Sequence, residues 1–302
     1  MATKRKLAIL GGDGRQIAMA NALCEIGYEV FVWGLGQCHA QLNGAIVCRD
    51  WEHAVDLSDT VIFPLPASVD GIFVNCARED NNVFLRITAV LERMHGKCLL
   101  GGKLSESVYS LAQRHGVRVL DYFDSEILQL KNALPTAEGA ISIAMNKLPI
   151  TIDGMRCAVI GYGRIGRLLA KKLHALGARV TVYARRAEVR TLAELDGHDS
   201  EALDSDNDYA SLKTLPHGCR AVFNTVPKWL MTKDVLEHVP KNCILIDLAS
   251  APGGIDLGAA QELGLQCVWG TALPGKHTPE SAGIILAQTV DAFLEDSPDP
   301  LA

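Results

Sequence analysis

Glycine recurs at the first, third and sixth positions of Gly161-Tyr162-Gly163-Arg164-Ile165-Gly166, between the apolar run Arg156-Cys157-Ala158-Val159-Ile160 and a helix-forming segment that continues to residue 176. Each glycine does something a side chain would prevent. Gly161 permits a tight turn, Gly163 lets a pyrophosphate approach the backbone, and Gly166 permits close helix–strand contact. The start of the following helix offers unpaired N–H groups and the positive end of its dipole to phosphate oxygens. With a strand before it, a helix after it and a second strand ending at Tyr183, this turn is expected to bind a dinucleotide.

The end of that second strand selects the dinucleotide. A site built for NAD places Asp or Glu there to accept the ribose hydroxyls. This chain reads Val182-Tyr183-Ala184-Arg185-Arg186, with no acid and two guanidinium groups. A carboxylate would repel a 2′-phosphate, whereas arginine binds it bidentately, so NADP is expected over NAD. Three further turns after strands are expected to meet the cofactor: Thr225-Val226-Pro227, Leu248-Ala249 and Pro274-Gly275. The first of these is where the nicotinamide ribose would lie.

In the first half, Gly11-Gly12-Asp13-Gly14-Arg15 is another glycine-rich turn between strand and helix, without the third glycine at fingerprint spacing. Gly12, Asp13 and Arg15 are expected to cradle a substrate carboxylate with backbone N–H groups and one guanidinium, or else to form a merely structural turn. Pro64-Leu65-Pro66-Ala67-Ser68 is a second strand-end loop of this half. Among the histidines only His277, beside Lys276, falls in a strand-end loop, and its ordinary pKa range suits proton transfer near neutrality. The other eight, His39 among them, sit in segments with no chemistry nearby.

The elements that must position these residues alternate short β-rich runs with amphipathic helices, as in a parallel α/β sheet. Strands are expected at 7–10, 29–33, 60–63, 98–100 and 117–120, with helices at 16–26 and 105–115 among them. A long helical stretch over 124–147 is expected to be interrupted by Pro135. A second series follows, with strands at 157–160, 180–183, 221–224, 244–247 and 266–268 and a closing helix at 279–294. The expected architecture is two Rossmann-like, doubly wound parallel-sheet domains joined by long helices, with a cleft between them. Residues 1–123 would form a substrate-side domain completed by the C-terminal helix 276–296, 124–150 the linking helix, and 151–275 the cofactor domain. The stretch 196–208 is expected to be a solvated acidic loop.

Composition narrows the function classes. At 302 residues the chain has room for about two domains, and 48% hydrophobic with 21% charged residues excludes disorder. Lys plus Arg number 29 against 35 Asp plus Glu, and a net charge of −6 argues against a grip on nucleic acid or an anionic membrane. No apolar run approaches the ~20 residues of a membrane span. Met1-Ala2-Thr3-Lys4-Arg5-Lys6 is charged like a secretory leader, but the apolar stretch after it stops at Gly11-Gly12-Asp13. The nine cysteines, Cys38 included, form no C-x-x-C and pair with no metal-spaced histidines, so a reducing cytoplasm and no metal are expected.

Taken in order, Asn132-Ala133-Leu134-Pro135-Thr136-Ala137-Glu138-Gly139, the 161–166 fingerprint, the 247–254 turn, Leu273-Pro274-Gly275 and Ser281-Ala282-Gly283 closely resemble the family of dipicolinate synthase A subunits. Gly11-Gly12-Asp13 with Arg15-Gln16 fits the same resemblance. It spans essentially the whole chain, and its relatives by fold include 2-hydroxy acid and alanine dehydrogenases. The resemblance implies NADP-dependent oxidation of dihydrodipicolinate to dipicolinate in the mother-cell cytoplasm of a sporulating bacterium, with a flavoprotein-like B subunit of dipicolinate synthase as partner. A homo-oligomer is also expected. Under that reading, donors for the two substrate carboxylates would be Arg15, Ser68, Thr136, Ser250 and Lys276. The proton acceptor would be Glu138, His277 or water, with Glu138 alternatively orienting Lys276 or Arg15. Two rival readings are an NADP-dependent 2-hydroxy or amino acid dehydrogenase and a non-catalytic NADP-binding regulatory subunit. The 247–254 turn lacks the arginine with which 2-hydroxy acid dehydrogenases polarise a carbonyl, and without a cation a developing alkoxide loses its electrostatic partner.

Overall fold

Two strands, Lys6–Leu10 (β1) and Arg156–Ile160 (β7), share one burial pattern, an exposed first residue and four buried ones. Runs such as Leu-Ala-Ile-Leu and Cys-Ala-Val-Ile have no polar alternation, so both faces must be covered. That is the condition of a central strand in a parallel sheet. The computed structural model describes residues 5–36, 41–76, 84–204 and 209–295. Residues 1–4, Cys38, His39, the 205–208 end of the acidic stretch and residue 296 lie outside the described residues.

The first series runs β1, α1 (Gly14–Ile26), β2 (Glu29–Trp33), β3 (Ile46–Val47), α2 (Trp51–Leu57), β4 (Thr60–Ile62), α3 (Ile87–Glu92), β5 (Cys98–Gly101), α4 (Glu106–Arg114), β6 (Arg118–Asp121) and the long α5 (Glu126–Lys147). The second runs β7, α6 (Arg164–Ala175), β8 (Arg179–Ala184), α7 (Ala187–Leu195), β9 (Asp199–Ala202), β10 (Cys219–Asn224), α8 (Lys233–Leu236), β11 (Ile244–Asp247), α9 (Leu257–Glu262), β12 (Gln266–Trp269), α10 (Leu273–His277) and α11 (Pro279–Glu295). Each forms a six-stranded sheet, ordered β3-β2-β1-β4-β5-β6 and β12-β11-β10-β7-β8-β9. All the strand pairings are parallel. The winding is the same in both, reversing beside β1 and beside β7. The expected pair of Rossmann-like sheets is therefore present.

The chain divides into two units, 1–132 with 278–302, and 133–277. In the first, α11 packs on α1 so closely that a Cβ on Gly283 would lie 2.3 Å from the Arg15 carbonyl oxygen. Leu286, Ala287, Val290 and Leu294 of α11 join Ile17, Met19, Ala20 and Leu23 of α1 in one core cluster. In the second unit, Val180 and Val182 face one core cluster and Tyr183 the other, so the sheet is buried on both sides.

Three expectations change. Pro135 does not interrupt the long helix, which is continuous over Glu126–Lys147. The missing N–H and the ring clash cost roughly 3 kcal/mol, but Leu128, Ala133, Ala137, Ala140, Ile141 and Ala144 are buried along its length and their packing holds the helix through. The 196–208 stretch is not a free loop: it contains the edge strand β9, and His198 is only 4% exposed. The segment after β12 is no loop either, because Leu273–His277 is a short helix. Among the described residues no helix is long and apolar enough to cross a membrane.

Candidate functional site

The fingerprint turn has the geometry its glycines require. Gly161 has φ +90°, and a Cβ on it would lie 2.5 Å from Thr225 Oγ1. A Cβ on Gly166 would lie 2.2 Å from the Gly161 carbonyl oxygen, so only glycine lets α6 start this close to the turn. Gly163 is different: a Cβ there meets nothing within 4 Å. It is the N-cap of α6, and no side chain caps that helix. A helix N-terminus with an uncapped first turn and open space above it has the donor set and the room for a pyrophosphate.

On either side of β7, the ends of β8 and β10 complete the site. A cavity of about 510 Å³ is lined by Gly161, Tyr162 and Gly163, by Tyr183, Ala184, Arg185 and Arg186, and by Thr225, Val226, Pro227 and Lys228. Val189, Leu203, Tyr209 and Leu230 close it. No Asp or Glu lines it among the described residues. Arg185 and Arg186 are exposed, with Arg186 as the N-cap of α7. Their turn is braced by Arg190, whose Nη1 donates to the carbonyls of Ala184 at 3.0 Å and Arg185 at 2.9 Å.

The β10 turn is anchored by a buried pair. Asn224 and Asp247 stand opposite each other on β10 and β11, 0% and 1% exposed. Asn224 Nδ2 donates to Asp247 Oδ1 at 2.8 Å and to the Val226 carbonyl at 3.0 Å. Asp247 also accepts the N–H groups of Ala249, Gly254 and Ile255 at 3.1, 2.7 and 3.2 Å. A carboxylate so enclosed is tolerated because its acceptor sites are used. One buried group thus sets both the Thr225–Lys228 turn and the turn after β11.

A second polar cluster supports the fingerprint from outside the cavity. The Tyr162 hydroxyl donates to Asp196 Oδ2 at 2.9 Å, joined by Arg167 Nε at 3.0 Å, while Lys171 Nζ meets Oδ1 at 3.0 Å. Burial disfavours the Asp196 charge, but hydrogen bonds from Arg167, Lys171 and Tyr162 outweigh it and hold its pKa at about 2. His198 sits edge-on to Tyr162 and to His174. Burial, then the neighbouring charge of His174, pushes its pKa down. Tyr162 therefore lends its ring to this support as well as to the cavity wall.

The corresponding turn of the first unit is closed by its own residues. Gly11 N–H donates to the Trp33 carbonyl and Gly12 N–H to the Asn75 carbonyl, both at 2.8 Å. Asp13 N–H goes to Gln16 Oε1 at 2.8 Å and Arg15 N–H to Asp13 Oδ1 at 3.0 Å. Arg15, 5% exposed, binds Asp13 through Nε and Nη2 at 2.9 and 2.8 Å. Of the two expected roles for this turn, a carboxylate cradle or a structural turn, these bonds favour the structural one: its donors hold groups of the chain itself. Ser68 is likewise engaged, donating to the Phe73 carbonyl at 2.6 Å and accepting from Gly71 N–H at 2.9 Å.

The remaining candidates lie in the second unit. Glu138 Oε1 is bound by Lys172 Nζ at 2.9 Å, on the exposed side of α5. Thr136 is buried on the same helix. At Gly139, α10 comes so near that a Cβ would lie 2.9 Å from Leu273 Cβ and 3.4 Å from His277 Cδ2. His277 and Lys276 are exposed at the end of α10, with His277 beside Gly139, three residues after Thr136 on α5. Ser250 is exposed in the turn after β11. Arg164, Ile165, Leu248, Ala249, Pro274 and Gly275 do not line the cavity. Leu248 and Ala249 are buried, and the Ala249 carbonyl accepts Trp269 Nε1–H at 3.1 Å. Tyr209, Lys228 and Arg190 were not indicated by any motif; a cation just beyond Pro227 and one on the first turn of α7 were the available signals.

Residues 6–123 match the family model of the N-terminal domain of the dipicolinate synthase A subunit. Residues 114–253 match that of the NAD binding domain of D-isomer specific 2-hydroxyacid dehydrogenases. The dipicolinate synthase A subunit of Bacillus subtilis (strain 168) is 28% identical over 301 residues, covering 98% of each chain. The crystal structure of the corresponding A subunit from Bacillus halodurans matches with a TM-score of 0.84 and 26% identity, over 97% of this chain and 99% of that one. The crystal structure of the Bacillus subtilis protein matches at 0.80 and 27%, over 98% and 97%. Fold and site together define an oxidoreductase that uses a nicotinamide dinucleotide bound at a Rossmann sheet. Within that class, the chain is similar over almost its whole length to the A subunits of dipicolinate synthase.

Proposed function

We propose that this chain oxidises dihydrodipicolinate to dipicolinate with NADP, as one component of a dipicolinate synthase. The observation that carries the cofactor assignment is the cavity beside the fingerprint, which combines Arg185 and Arg186 with no lining carboxylate among the described residues. A 2′-phosphate carries close to two negative charges at neutral pH and needs such a wall. The similarity to dipicolinate synthase A subunits supports the substrate. Bound in the cavity, NADP supplies a hydride acceptor. The substrate ring loses one hydride and one proton and becomes aromatic, so the protein has mainly to orient it and receive the proton.

The residues available for that task are grouped in the second unit. Lys276, Thr136 and Ser250 are assigned to the substrate carboxylates, and His277 to the proton. Glu138 is already paired with Lys172, which favours His277 over it as acceptor. The dehydrogenase-domain match favours one rival, a 2-hydroxy acid dehydrogenase, but the 247–254 turn has no arginine to polarise a carbonyl. The relatives are named as the A component of a synthase, which supports a partner, the flavoprotein-like B subunit. Cytoplasmic action in the mother cell of a sporulating bacterium belongs to the same proposal, as does a homo-oligomeric state.

The test is a spectrophotometric assay with freshly generated dihydrodipicolinate and NADP, following dipicolinate and NADPH together, with and without the B subunit. Equal appearance of both products supports the assignment. NADPH binding without turnover in either preparation would replace it by a cofactor-binding regulatory role.

A further inference from the structure

The cavity contains a third cation that the fingerprint does not account for. Lys228 lines it from the β10 side, whereas Arg185 and Arg186 line it from the β8 side. We infer that Lys228 is a specificity-determining residue, binding the 2′-phosphate of NADP from the wall opposite the two arginines while seated on the ring of Tyr209. This rests on the NADP reading given above and extends it to a residue outside any motif.

Three observations separate Lys228 from an ordinary surface lysine. Its backbone is held: its N–H donates to the Val226 carbonyl at 2.9 Å, and Leu230 and Met231 N–H both donate to the Gly254 carbonyl, at 3.0 and 2.9 Å. Gly254 N–H is in turn fixed by buried Asp247 at 2.7 Å. Its side chain is also held, with Nζ 5.6 Å from the centre of the Tyr209 ring, within cation–π range. Tyr209 itself is kept at φ +55°, a left-handed conformation unusual for a residue with a side chain. Its N–H donates to the Asp204 carbonyl at 3.0 Å and its carbonyl accepts Leu212 N–H at 2.8 Å. Strain of this kind persists where the surroundings require the side chain in one place.

The chemistry of the walls sorts the ligand. Tyr183, Leu203 and Leu230 form an apolar floor, 1%, 6% and 1% exposed, suited to an adenine face. Around it stand two guanidinium groups and one ammonium. A ribose hydroxyl has no use for three cations; a phosphomonoester at the same carbon does. The planar arginines fit bidentate contacts, and the lysine adds a point charge from the other side.

Isothermal titration of the full chain with two fragments isolates this half of the cofactor: adenosine 2′,5′-bisphosphate and adenosine 5′-monophosphate. The wild-type chain is expected to prefer the bisphosphate. Lys228→Gln should weaken the bisphosphate by about tenfold, the scale of one charge-assisted hydrogen bond, and change the monophosphate by less than about twofold. Lys228→Arg should restore most of the loss. Tyr209→Leu, which removes the seat, should reduce the preference in the same direction. An unchanged preference in Lys228→Gln, in a chain whose wild type discriminates, would overturn the role of Lys228 alone. No preference in the wild type would overturn the NADP reading and this inference with it.

Discussion

The two sheets are wound alike, yet the helix that follows the first strand begins differently in each. At α1 the N-cap is Asp13, whose carboxylate accepts the Arg15 N–H and holds the Arg15 guanidinium, while Gln16 closes a capping box. At α6 the N-cap is Gly163, with no side-chain cap and open space where a side chain would be. The first helix carries its own anion; the second leaves its dipole and N–H groups for one from outside. A Rossmann-like topology therefore does not by itself make a nucleotide site. The N-cap residue decides whether the helix end is already satisfied.

The comparison can be broken from either side. Asp13→Ala should destabilise the chain most, by about 3 kcal/mol in denaturant unfolding, because it removes a cap and leaves buried Arg15 without its partner. A loss under about 1 kcal/mol would mean that the self-capped turn contributes little. Gly163→Val should leave apo stability nearly unchanged, since its Cβ meets open space, but weaken NADPH binding by about a hundredfold, close to 3 kcal/mol. Unchanged affinity in the folded variant would displace the pyrophosphate from this turn.

Smaller effects sharpen the contrast. Replacing Arg185 and Arg186 together by alanine should weaken NADPH by roughly thirtyfold and NADH by less than about threefold. Equal losses for both cofactors would remove the 2′-phosphate assignment. The smallest effect concerns pH. Burial and the charge of His174 make His198 harder to protonate in the folded state. The unfolded chain therefore takes up more protons once pH falls below the ordinary histidine value of about 6.5. The stability that depends on neutral His198 is fully present above that pH and declines below it, until the lowered folded pKa is passed. Thermal melts at stepped pH should show this decline, and His198→Phe should flatten it. The carboxylates act later: Asp13, desolvated but held charged by Arg15, and Asp196, at about 2, lose their contribution only as pH drops below about 4.

Reading polar residues by sequence alone succeeded unevenly, and for a consistent reason. Gly161 and Gly166 were legible because a tight turn and a close helix approach are requirements of neighbouring backbone atoms. Arg185 and Arg186 were legible as a charge at a strand end. Asp196 was not, since an acidic run looks solvated until Tyr162, Arg167 and Lys171 are seen to converge on it. Asp13 and Arg15 stand two residues apart, so their proximity was in view, but their pairing through Nε and Nη2 depended on the directions of both side chains. Lys228 and Tyr209 come from separate segments and meet only after β10 is placed beside β7.

The sequence by itself determined the parallel α/β architecture, both strand-to-helix turns and the dinucleotide fingerprint, because each is written in spacings of a few residues along one backbone. Only the tertiary structure decided which of the two turns is open, that α5 runs through Pro135, and which cations share the cavity. Those outcomes depend on partners brought together by packing: a polar group binds whichever donor or acceptor the fold sets beside it, and no local pattern specifies that neighbour.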